Sequence, residues 1–219
     1  MYVPTPTQGD PQQTAGPPWW LVIGPGFAAL IGLFLLTVIY RFDGRATLQI
    51  ELGMSHESLL LSGLVAYLVA AAIAFPAGLL PGARFPTSVT VPAIFLMLLG
   101  ALLVAFTPSG ALFLVARVLT GLGAGAAIGV TVALIRRLRT GRGATAGVLA
   151  GLGVLALAIA PFLGGLLSDA TGFRVVYLVA ALFAFVALVV AGIIGIVTMV
   201  TAKPSARPMP YQPQGPPLG

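Results

Sequence analysis

Residues 111–135 and 144–168 form two apolar runs of about 25 residues each, separated only by the basic loop RRLRTGRG at 136–143. At the α-helical rise, a run of that length covers roughly 37 Å, against the roughly 30 Å of a bilayer's hydrocarbon core. Each run therefore reads as a membrane-crossing helix with some tilt. The first carries a single charge, Arg117, followed by Gly121, Gly125 and Gly129. Positions four apart lie nearly above one another on a helix, so this row of glycines admits a neighbouring backbone. The second run repeats the device with Gly147, Gly151, Ala156, Ala160 and Gly164. It adds Pro161, which removes the amide that would bond to the carbonyl of Leu157 and bends the helix.

Four further runs lie at about 20–40, 59–80, 89–107 and 174–200, and with the pair at 111–135 and 145–168 they place six spans within 19–200. Trp19, Trp20 and Tyr40 bracket the first span as an interfacial aromatic belt does. Pro25 falls near its start, where proline is best tolerated. Ser55 is placed to cap the second helix, with Glu57 in its first turn, and Pro76 is a kink position near the end. Segments 1–18 and 201–219 are proline-rich and read as disordered tails.

Composition excludes several classes. Hydrophobic residues make up 58% of the chain and charged residues 7%, where soluble domains carry about 25% charged residues. The net charge of +6 is scattered between apolar runs without interleaved aromatics, which argues against nucleic-acid binding. Cysteine is absent, and one histidine with five acids offers no metal site. No paired carboxylates, activated nucleophile or cofactor motif stands near the spans, so an enzyme is not expected. The N-terminus lacks the basic region and cleavage site of a signal peptide.

Lysine and arginine set the orientation. With the N-terminus inside, Arg84, Arg136, Arg137, Arg139, Arg142, Lys203 and Arg207 are cytoplasmic, and Arg41, Arg45 and Arg174 are outside. That bias places both termini, and the loops at 81–88 and 136–144, in the cytoplasm.

Several stretches together resemble the N-terminal half of a major facilitator superfamily transporter, nearest the drug/proton antiporter branch. ARVLTGLGAG at 116–125 is similar to the opening of that family's fourth helix. The fifth-helix antiporter pattern G-x8-G-x3-G-P-x2-G-G is met by Gly147, Pro161, Gly164 and Gly165, with Ala156 and Ala160 replacing the middle glycines. DATGFRVVYL at 169–178 resembles the entry to the sixth helix, and LLSGLVAYLVAAAIAFPAGLL at 60–80 the second. Two departures stand out. The family's loop between helices two and three carries an aspartate and basic residues that latch the two halves together; here Gly82 stands where the aspartate is expected and Pro86 where a glycine is expected. It also carries six runs where a usual member has twelve, with the substrate path between two six-helix halves.

The resemblance implies an all-α integral membrane six-helix bundle, a major-facilitator half-fold in a bacterial cell membrane. It implies transport of small organic or drug-like solutes without a cofactor, together with a second half or as a homodimer. A scaffold or accessory subunit that kept the fold is the alternative. Arg117, Gly121 and Gly125 are the expected pathway or coupling positions. Two readings of Arg117 stay open: that role, or a side chain that snorkels outward or pairs with Glu57 or Asp169. The glycine rows read mainly as packing devices, and the arginines of 136–142 as a topology anchor. His56 reads as a solvated loop residue, and Thr37, Ser62, Thr120 and Thr131 as bonding within their own helices.

Overall fold

The computed structural model describes residues 19–40 and 51–201. The expected tails at 1–18 and beyond Thr201, and the charges Arg41, Asp43, Arg45, Lys203 and Arg207, lie outside the described residues. Within them the chain is helical and without strands, and six helices are long and apolar enough to cross a membrane. A 3-10 turn at Trp19–Val22 leads into α1 (Ile23–Thr37). It is followed by α2 (His56–Gly82), α3 (Pro86–Ala105), α4 (Gly110–Arg137), α5 (Arg142–Thr171) and α6 (Phe173–Thr201).

Local chemistry explains most boundaries. Pro25 occupies the first turn of α1 and Pro86 the first position of α3, where no intrahelical amide is needed. Ser55 and Ser109 cap α2 and α4, accepting from the amides of Ser58 and Leu112. Arg136 and Arg137 sit in the last turn of α4, against the negative end of its dipole. Gly141 and Gly172 have φ of 72° and 84°, a conformation other residues resist, and they reverse the chain before α5 and α6. The DATGF segment is mostly helix, because α5 runs through Thr171 and Phe173 already opens α6. His56 belongs to the first turn of α2 rather than to a loop, and it is exposed.

α4 is the most enclosed span and α5 the least. Small residues on every side of α4 let three helices reach its backbone. A Cβ on Gly125 would lie 2.6 Å from Ala71 Cα of α2. On Gly123 it would lie 2.7 Å from Met97 Cγ of α3, and on Gly32 of α1 it would lie 2.6 Å from Ala124 Cβ of α4. The fit is reciprocal, since Gly78 of α2 abuts the backbone of Ala126 and Gly100 of α3 abuts Thr120. α6 packs on α3, and α5 on α1 and α6. Leu61, Leu68, Ile73, Val154, Phe162, Leu182 and Phe185 point out of the bundle, an apolar exterior that suits lipid or another apolar helix face.

One end of the bundle gathers the starts of α1 and α3 with the end of α6, and Gly26 of α1 near Leu149 of α5. Arg84, Arg136, Arg137, Arg139 and Arg142 belong to the turns at this end, and Glu57, Asp169 and Arg174 to the other.

Candidate functional site

Arg117 is fully buried. It stands seven residues after Gly110, which puts it about 10 Å along α4. Its Nε–H donates to the carbonyl of Gly63 at 2.9 Å, Nη1 to Leu35 at 2.7 Å and Nη2 to Leu36 at 3.0 Å. The guanidinium carbon lies 4.6 Å from the centre of the Tyr67 ring. The Tyr67 hydroxyl in turn donates to Gly32 at 2.6 Å. The charge also acts on the hydroxyls of Tyr40 and Tyr177.

These acceptors are available for a reason. The last carbonyls of a helix have no intrahelical partner. At the end of α1, Phe34 accepts from Val38 and Thr37 from Tyr40, and Arg117 takes the two between them, Leu35 and Leu36. Gly63 lies in a π-helical stretch, Leu60–Val65, where the widened turn re-aims backbone carbonyls. Arg117 is thus a C-terminal cap supplied from another helix, and it meets the negative end of the α1 dipole. It does not snorkel to the surface. Its hydrogen-bond partners are backbone oxygens, while Glu57 and Asp169 are exposed at helix termini. The π-helical stretch carried no recognisable signal in the sequence beyond Gly63 itself.

Gly121 and Gly125 face α2, against the Tyr67 carbonyl and the Ala71 backbone. On α5 the packing row differs from the expected one. Gly147 and Gly151 have open space where a Cβ would stand. Gly153 meets Leu33, and Gly164 meets the backbone of Val38, both contributed by the α1 segment. Ala160 and Gly165 are buried, whereas Ala156 and Pro161 are half-buried. Thr37 does not bond within its own helix: its hydroxyl donates across to Leu157 of α5 at 3.2 Å. Thr120, Thr131 and Ser62 do donate to carbonyls four residues back.

A separate cleft of about 460 Å³ opens between α1, α4 and α5 at the arginine-rich end. Leu30 and Leu33 of α1, Ile128, Thr131 and Arg136 of α4, and Arg142 and Leu149 of α5 line it. Sequence spacing did not reveal it, because its walls come from three helices whose pairing the sequence leaves open. The volume lies within the roughly 300–1,000 Å³ of small-molecule sites. Among the described residues, no three acids or histidines gather as metal ligands.

The family model described as Major Facilitator Superfamily matches residues 26–216. No curated protein matches the chain.

Proposed function

The chain belongs to the Major Facilitator Superfamily, a family of membrane transporters, and on that premise we propose that it carries small organic or drug-like solutes out of the cell. The cleft between α1, α4 and α5 carries this reading. It is of substrate size, open on one side, and walled by helices of a single six-helix unit. In this superfamily the path runs between two such units. A second copy, or another six-helix half, would close the open side. The exposed apolar side chains of α2 and α5 supply a surface for that contact. Arg117 ties α1, α2 and α4 together, and the close backbone contacts of α2 at Gly121 and Gly125 of α4 let the three helices act as one body.

A scaffold or accessory role is favoured by one observation. At Gly82, where the latch aspartate is expected, a Cβ would lie 2.8 Å from Val130 Cγ2 and 2.9 Å from Val130 Cα. Helix packing has closed over the position.

Reconstitution into liposomes separates the two. Protein-dependent flux of a solute down its gradient is expected, with inhibition when Ala146→Trp fills the cleft. Absence of flux for a folded, inserted protein would leave the accessory role.

A further inference from the structure

We infer that the cleft between α1, α4 and α5 selects single-chain anionic amphiphiles, such as a medium-length carboxylate, and rejects cationic ones. This rests on the cleft being the substrate path proposed above.

The charged side chains that line it are Arg136 and Arg142, one from each helix flanking the 138–141 turn. The rest of the wall is apolar apart from the hydroxyl of Thr131, and that hydroxyl already donates to Ala127. Among the described residues, no carboxylate lines the cleft. The described acids on or beside the spans, Glu51, Glu57 and Asp169, belong to the opposite end. Asp169 and Arg142 stand on the same helix, about 40 Å apart. That exceeds the roughly 8 Å screening length at physiological salt several-fold, so these acids do not offset the arginines. α5 begins beside Arg142 with no side-chain cap on its first amides, which adds partial positive charge at the same place. A cationic head in this mouth would meet like charge with no counter-ion among the described residues, a repulsion that discriminates against it. A carboxylate or phosphate head would meet two guanidinium groups, and its apolar chain would lie along Leu30, Leu33 and Leu149.

The test is equilibrium binding to the full chain in nanodiscs of phosphatidylcholine, with signal from empty discs subtracted. The probes are a fluorescent dodecanoate and a trimethylammonium compound of the same tail and fluorophore. The carboxylate is expected to bind at least tenfold more tightly than the cation and to weaken as salt rises. Arg136→Gln with Arg142→Gln should weaken carboxylate binding at least tenfold. Arg137→Gln with Arg139→Gln, which lie outside the cleft, should leave it within about twofold. All four arginines are exposed, and matched melting temperatures confirm that the variants are folded. Equal binding of both probes, an unaffected 136/142 variant, or equal losses in the two paired variants would overturn the proposal. Displacement of the probe by phosphatidylglycerol discs would also overturn it, by making the occupant a two-chain bilayer lipid. Binding of the expected sign without flux in liposomes counts against the transport role alone. Flux of the cation without carboxylate binding counts against this selectivity alone.

Discussion

The guanidinium carbon of Arg117 stands 4.6 Å from the centre of the Tyr67 ring, so a helix-four cation is stacked on helix two while it bonds to the end of helix one. Three helices are joined by one side chain that has backbone carbonyls in place of a carboxylate. A buried cation is tolerated here because the π-face, the three carbonyls and the α1 dipole together replace its hydration.

Removing that cation leaves the carbonyls of Leu35, Leu36 and Gly63 without their donor in a dry interior. Each unsatisfied buried group costs about 1–3 kcal/mol. Arg117→Leu should therefore lower stability by on the order of 3 kcal/mol, seen as a lower melting temperature in detergent. Arg117→Lys keeps the charge and loses the planar fork, so it should fall between. A leucine variant as stable as the parent would mean that the carbonyls find other donors.

The membrane class, the six helices and the buried small-residue face of α4 were all legible in the sequence, because each follows from local run length and spacing. Arg117 could be singled out as an intramembrane charge, but its partners could not. They are backbone atoms of other helices, and backbone atoms leave no residue-type signature. Spacing was misleading on α5. The four-residue series Gly147, Gly151 identifies a helix face, but only the neighbour decides whether that face is covered, and Gly153 is the residue that meets Leu33. The cleft was hidden for the same reason.

That contrast yields a paired test. A Cβ at Gly125 would lie 2.6 Å from Ala71 Cα, whereas nothing stands within 4 Å of one at Gly147. Gly125→Ala should force α2 and α4 apart and reduce the melting temperature. Gly147→Ala should be neutral or gain up to the roughly 1 kcal/mol by which alanine exceeds glycine in a helix. Equal effects of the two substitutions would mean that the Gly147 face of α5 is covered after all.

Orientation is open to a direct measurement, because the chain has no cysteine of its own. Ser55 precedes α2 at one end of the bundle and Thr140 lies between α4 and α5 at the other. With the arginine-rich turns inside, as the charge bias leads us to expect, an impermeant thiol reagent added to intact cells should label Ser55→Cys and spare Thr140→Cys. Labelling of Thr140→Cys alone would invert the topology.

The last prediction concerns the latch position. If the aspartate were merely missing, restoring it would be harmless and could recover inter-half coupling. The packing argues otherwise. Gly82 faces Val130 closely enough that a Cβ would lie 2.9 Å from its Cα, and a backbone atom cannot move aside as a side-chain tip does. Val130 is itself buried among Val22, Leu134 and Leu138, so a carboxylate placed there would lose hydration against an apolar wall. Gly82→Asp should therefore reduce the yield of monodisperse protein and lower its melting temperature. Gly82→Ala should show a smaller share of the same loss, because it brings the steric conflict without the charge. A Gly82→Asp protein with parental yield and melting temperature would show that α2 and α4 part at this end, and that the latch site is still open.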